Sequence, residues 1–373
     1  MRVANSSPFY QQLSSAITKL GGMHNAHLHL DRAGTIDPRY LTLGNSSVLE
    51  NSHISLHEKH HLINRLHASP AYQPDDFKQR VNHFLDVMVA CDTRRADTLV
   101  DVTNDMIGLN GLNLMREIKQ ERAGEIDLQI AAYSPFGFRD DEPEMWKIFA
   151  EGSAQADFIA ALPEADDQSE YPSHIGFDEH LARTLTLAKE KQCLIHVHTD
   201  QRNEPNEDGT ERLIDCVAKY GAPTSDSGEP MVWAVHMISP STYDEQRFSD
   251  LTMGLLEHNI GVICCPSAAI GMRQLRSLNT PTYNSIPRVL DLLAAGVQVR
   301  LASDNIADIC SPSTTADLVD EVFMLSAAVR YYHVDILAKL AAGIRLTDDD
   351  RQTLRDHLEE NNREIAAVVG QNV

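Results

Sequence analysis

Residues 22–30 read GMHNAHLHL, an apolar run that carries His27 and His29 near its end. Seven further runs of the same kind follow: DTLVDVT (97–103), DLQIAAY (127–133), DFIAALP (157–163), CLIHVHT (193–199), MVWAVHM (231–237), NIGVICCP (259–266) and VQVRLAS (297–303). Each has the length and apolar character of a strand buried on both faces. After the first gap, successive runs are separated by about one helix and two loops. FDEHLARTLTLAKEKQ (177–192) places apolar residues at helical spacing, and NSIPRVLDLLAAGV (284–297) ends at Gly296, a residue suited to stopping a helix. Eight strands alternating with helices predict an α/β fold of the (β/α)8 TIM-barrel class.

The 373 residues are read as a single barrel domain, 1–373. Residues 31–95 form an unusually long connection after strand one, expected to be a lid-like insertion over the substrate or an oligomer contact. Its histidines, His53, His57, His60, His61 and His67, read as mostly surface residues, with metal ligation as the alternative. Residues 306–373 read as a helical tail, and no flanking β-sandwich domain is predicted.

Acidic residues number 54 against 32 basic ones, a formal net charge of −22. That balance argues against a nucleic-acid partner, which requires clustered Lys and Arg to neutralise phosphates. No basic segment followed by an apolar core opens the chain, and no apolar run approaches the roughly 18 residues of a membrane span. The expectation is a cytoplasmic protein that acts on a small molecule, with no membrane partner and with a homo-oligomer compatible with the sequence. The six cysteines, including adjacent Cys264 and Cys265, form no CxxC pair and read as buried thiols. A role for Cys264 or Cys265 near the barrel mouth is the alternative.

The strand ends carry the chemistry. His27 and His29 close the first strand, His196 and His198 lie on the fifth, His236 ends the sixth, and Asp304 follows the eighth. Residues i and i+2 of a strand point to the same side. The C-terminal ends of barrel strands are where barrel enzymes hold their reactive groups. Imidazole nitrogens and a carboxylate are donors that suit zinc or iron.

HLHLD (27–31), the order of the strand-end ligands, IDLQIAAYSPFGF (126–138) and SDN (303–305) resemble the amidohydrolase superfamily, cytosine deaminase and its relatives in particular. The resemblance covers roughly residues 20–310. It implies one divalent metal ion, zinc first and iron second, held by His27, His29, His198 and Asp304. It implies that His236 binds or polarises the attacking water, while Asp304 also accepts that water's proton. His196 is read as a packed, hydrogen-bonded residue. Binuclear members often bridge two metals with a carboxylated Lys after strand four; DFIAALPEADD (157–167) has none, and Glu164 is read as an exposed loop carboxylate rather than a bridge.

The resemblance breaks in the substrate shell. Gln201 stands where deaminases of this family carry a proton-donating Glu, Asn305 where an acidic residue is common, and Pro135 where a substrate-binding Gln is found. Asp200 could replace the missing acid, but strand alternation turns it away. Asp304, His236 and Gln201 are therefore the candidate catalytic residues. Asn305, Asp31, Trp233 and Arg273 are candidates for substrate binding, with Arg276, Tyr133 and Phe136 behind them. The implied activity is metal-dependent hydrolysis of a non-peptide C–N bond in a small, cyclic, nitrogen-containing substrate, by deamination or by opening a cyclic amide or lactam. The alternatives are a non-catalytic barrel that retains its metal, and a phosphoester hydrolase on the same scaffold.

Glutamine cannot shuttle a proton, and losing a general acid costs about 10²–10⁴ in rate. The metal-loaded protein is therefore expected to release little or no ammonia from cytosine, and Gln201→Glu is expected to raise amidine deamination. Rapid ammonia release by the unaltered protein in a coupled assay contradicts this reading.

Overall fold

The computed structural model describes residues 7–42, 48–51, 54, 56–272 and 285–370. Its eight strands are β1 (Met23–Leu28), β2 (Thr93–Asp101), β3 (Asp127–Tyr133), β4 (Phe158–Ala161), β5 (Ile195–Thr199), β6 (Val232–His236), β7 (Ile260–Cys264) and β8 (Val299–Leu301). They form one sheet in the order β1-β2-β3-β4-β5-β6-β7-β8, and each pairs in parallel with the next. Every residue of β1, β4, β5, β6 and β7 is buried, as strands covered on both faces require.

The ring closes beyond β8. Leu28 bridges to Asp304, whose N–H donates to the His27 carbonyl (2.9 Å) and whose carbonyl accepts from His29 N–H (3.1 Å). One step deeper, Asn25 Oδ1 accepts from Ser303 N–H (3.0 Å) and Asn25 Nδ2 donates to Ser303 Oγ (2.9 Å). The expected (β/α)8 barrel is therefore what the chain builds.

Helices flank the sheet. α1 (Pro8–Lys19) precedes β1; α2 (Leu56–His61), α3 (Ile63–His67) and α4 (Pro74–Ala90) lie between β1 and β2. α5 (Asn110–Glu121), α6 (Glu144–Gln155), α7 (Phe177–Lys191), α8 (Gly209–Tyr220) and α9 (Glu245–Glu257) follow β2 to β6 in turn. α10 (Pro266–Gly271) and α11 (Val289–Ala295) lie between β7 and β8, and α12 (Leu318–Val329), α13 (Val334–Ala341) and α14 (Asp348–Val369) complete the chain. α7 shows why these segments are helical: Phe177, Leu181, Leu185 and Ala188 are buried along one stripe while Lys189 and Lys191 meet the negative end of the helix dipole. α14 starts at a capping box between Thr347 and Asp350, with three aspartates in its first turn. α13 packs on β1 and β8 and covers the closing seam.

Two details differ from the sequence expectation. α4 packs against β2 and α5, so the last part of the 31–95 connection is the barrel's own first helix, and only the part before it is inserted. The fourth strand is short because Pro163 starts a 3-10 turn, Pro163–Asp166.

Two apolar clusters fill the barrel interior. Ala26, Trp233, Val235, Ile263, Cys265, Ala268 and Ala302 form one, on the side of β1 and β6 to β8, and Leu99, Ala131, Tyr133, Phe158, Ala160 and Leu162 belong to the other, on the side of β2 to β4. Trp233 sits in the first, its Nε1 donating to the Pro230 carbonyl (3.0 Å). A Cβ on Gly261 would lie 2.5 Å from the Trp233 ring, so the indole fits only because that strand position lacks a side chain. Gly261→Ala is expected to destabilise the fold by about 1–3 kcal/mol through overpacking. An unchanged urea midpoint at constant m-value contradicts this packing.

Candidate metal centre

Three buried histidines converge at the barrel mouth. His27, His29 and His198 each offer a ring nitrogen, and these atoms lie within 4.8 Å of one another. The ring centroids of His27 and His198 are 4.8 Å apart, and His236 approaches to 5.3 Å from His198. Asp304 Oδ1 stands 3.4 Å from His29 Nε2. Backbone strain accompanies this convergence: His236 (φ 76°) and Asp304 (φ 58°) both adopt the left-handed region that non-glycine residues rarely occupy.

The hydrogen bonds around the rings bear on whether a cation fits. His198 Nδ1 donates to the Ala161 carbonyl (2.9 Å), which leaves the Nε2 lone pair free. His27 Nδ1 meets His196 Nδ1 at 3.2 Å, and His27 Nε2 is buried with no partner. Burial, reinforced by neighbouring histidines, holds His27 well below its ordinary pKa. Burial and Arg32 do the same to His29, and burial and His198 do so to His236. His198 falls to about 4, burial being the main cause. At neutral pH these imidazoles are unprotonated bases, the form in which histidine binds metal. The pKa of Asp304 is pushed up to about 7 by burial and by Asp308, against the pull of Arg32. Orphaned lone pairs, neutral rings and an adjacent carboxyl group fit a divalent cation with nitrogen and oxygen preference.

A cavity of about 390 Å³ opens over the triad, lined by His29, His198, His236, Asp304, Gln201, Asn305 and Tyr133. Gln201 Nε2 donates to Glu164 Oε2 (2.7 Å), and Asn305 Nδ2 donates to Asp304 Oδ1 (3.0 Å). His196 sits deeper, buried against the Phe158 ring.

Other expected site residues lie elsewhere. Asp31 is fully buried behind the cavity; its Oδ2 accepts from Tyr72 OH (2.9 Å) and from Asp101 N–H (2.9 Å), so it binds the fold rather than a substrate. Trp233 is enclosed in an interior cluster and does not line the cavity. Asp200 accepts from Gly209 N–H (2.7 Å) and Thr210 N–H (2.9 Å), so it caps α8 and does not stand in for the missing acid. Phe136 packs on His67 instead of lining the cavity. Cys264 and Cys265 are fully buried. Arg273, Arg276 and His53 fall outside the described residues.

Two expectations about exposure are corrected, and one histidine of the 31–95 connection stands at the cavity. Glu164 is not an exposed loop carboxylate: it is half-buried under Gln201, and burial together with Asp200 raises its pKa to about 7 against the pull of Arg202. His60 lines the cavity. His67 is buried, with Nε2 3.0 Å from Asp101 Oδ2 and Nδ1 2.6 Å from Asp105 Oδ2. Arg32, Lys59 and Cys310 also line the cavity and were not singled out from the sequence. Arg32 directly follows the HLHLD motif, and that adjacency was the available signal.

No protein-family model matches the sequence. An uncharacterized protein from Haemophilus influenzae is 26% identical over 287 residues, which is 75% of this chain and 96% of that protein. Among solved structures, 5-methylcytosine deaminase from Klebsiella pneumoniae bound to 5-fluorocytosine superposes with a TM-score of 0.69 at 22% identity, over 90% of this chain and 82% of that one. N-isopropylammelide isopropylaminohydrolase from Burkholderia multivorans gives 0.65 at 19% identity, over 88% and 74%. Guanine deaminase from C. acetobutylicum gives 0.54 at 11% identity, over 87% and 72%.

The His67 cluster yields a stability prediction. Burial opposes the charged ring, but the hydrogen bonds to Asp101 and Asp105 outweigh it and raise the pKa to about 9. A pKa raised in the folded state gives stability that is present below the unfolded value, about 6.5, and is lost as pH rises through 9. Through this one group urea unfolding is expected to lose roughly 2–3 kcal/mol across that window, and His67→Gln is expected to lessen the total loss by that amount. Identical profiles for the two proteins contradict this. The two deaminases and the aminohydrolase share the barrel fold with this chain, and the fold is what the similarity shows.

Proposed function

We propose that this chain belongs to the amidohydrolase superfamily. It is then a metal-dependent hydrolase of a non-peptide C–N bond in a small, cyclic, nitrogen-containing molecule, either deaminase-like or a cyclic-amide or lactam hydrolase. One observation carries the reading: three buried, neutral imidazoles meet at the barrel mouth, and two of them, His29 and His198, line a cavity sized for a small molecule. The deaminases and aminohydrolase whose fold the chain shares support it.

His27, His29 and His198 would hold one divalent ion, zinc or iron, with Asp304 beside them. Such an ion lowers the pKa of a bound water from about 15.7 towards 7 and so supplies a nucleophile at neutral pH. The chain's own residues do the rest. Asp304 would take the proton from the attacking water and return one to the leaving nitrogen. His236, with Nδ1 buried and unpartnered, is placed to orient that water or to steady charge on the substrate. Gln201 lines the cavity with one of its two amide N–H donors given to Glu164, so its carbonyl oxygen and its second N–H are the groups that can meet the substrate. That oxygen accepts an N–H, as a lactam or imide would present, but it protonates nothing.

The purified protein is expected to carry about one zinc or iron per chain and to hydrolyse members of a panel of lactams, imides and cyclic amidines. Ammonia release and ring opening, scored separately, distinguish the two forms. His198→Ala is expected to lose the metal and at least about 10²-fold in rate. Loss of metal with full retention of activity sinks the scheme.

A further inference from the structure

We propose that the cavity contains an anion subsite built on Arg32 and Lys59, and that the molecule it takes carries a carboxylate next to the bond at the metal centre. This deepens the hydrolase reading and rests on the same cavity.

Arg32 is only 3% exposed, yet its side chain lines the cavity. A buried guanidinium needs acceptors for its fork of donors, and leaving them unmade is costly. The nearest carboxylate does not satisfy it: Arg32 Nε is 3.8 Å from Asp101 Oδ2 and has no hydrogen-bond partner. Asp31, on the same side, has its Oδ2 committed to Tyr72 and to the Asp101 N–H. These two carboxylates balance the charge from behind without capping the donors. Among the described residues, the one hydrogen bond made by the guanidinium runs from Nη2 to His29 Nδ1.

That bond conflicts with a cation on His29. An arginine only donates, so His29 Nδ1 accepts and the ring proton lies on Nε2. Were His29 to ligate a cation through Nε2, the one proton of its neutral ring would have to sit on Nδ1, which could then not accept from Arg32. The guanidinium would then face the cavity without an acceptor. Lys59 stands on the same wall, half-buried, with Nζ donating to the Cys310 carbonyl (3.2 Å) and further N–H donors to spare. Among the described lining residues Asp304 is the one carboxylate, and it belongs with the metal ligands. A ligand carboxylate supplies what is missing: a planar pair of acceptors that matches the guanidinium fork.

Binding to the zinc-loaded protein, read by calorimetry or ligand-induced thermal shift, tests this with two matched pairs: orotate against uracil, and 5-oxoproline against 2-pyrrolidinone. The acid of each pair is expected to bind about 10- to 100-fold more tightly than the neutral member. Arg32→Met is expected to erase that ratio, and Arg32→Lys to restore part of it. Equal binding within both pairs, or a preference that survives Arg32→Met and so belongs to the metal alone, overturns the subsite. Should Arg32→Met fail to fold, Lys59→Met decides: the ratio must fall, and an unchanged ratio overturns the proposal. The readout is binding, not turnover. Arg32-dependent binding without hydrolysis would refute the hydrolase reading alone, whereas hydrolysis without a carboxylate preference would refute the subsite alone.

Discussion

The seam where the last strand meets the first is the constraint on which the site depends. Asp304 exchanges backbone hydrogen bonds with His27 and His29 across that seam. The same contacts that close the ring therefore set a carboxylate beside the HxH pair, some 275 residues distant in the chain. Asn25 and Ser303 stitch the layer beneath, and α13 lies over the join. Positive φ at Asp304 and His236 is tolerated because the surrounding strands over-determine both positions. Closure of the fold and assembly of the site are one event.

Burial then sets the chemistry. Removed from water, the imidazoles do not protonate at neutral pH, and their lone pairs stay available. Behind them, Asp31, Asp101, Tyr72 and His67 form a charged, hydrogen-bonded wall that fixes the base of Arg32 without exhausting its donors. The strongly acidic composition of the chain makes the two cations of the cavity a local exception, set against the general surface charge.

The barrel was legible because its strands are nearly continuous apolar runs at regular spacing, a pattern few other folds impose. The histidines were legible for the same reason, since each ends such a run. Other side chains around the site were not. Asp31 and Trp233 look like mouth residues in sequence, but Asp31 turns back to the Asp101 amide and Trp233 fills the space that Gly261 leaves open. His67 reads as a surface histidine because the aspartates that enclose it are more than thirty residues away. Glu164 reads as an exposed loop residue because its partner Gln201 arrives from the next strand. Side-chain pairing between distant loops leaves no periodicity to read.

The most direct test of the account is anomalous diffraction at the zinc edge from crystals grown with zinc. One strong peak bounded by His27, His29 and His198, with Asp304 within reach, is the expected result. A map without a peak at those three rings, or with the ion held by other side chains, contradicts it.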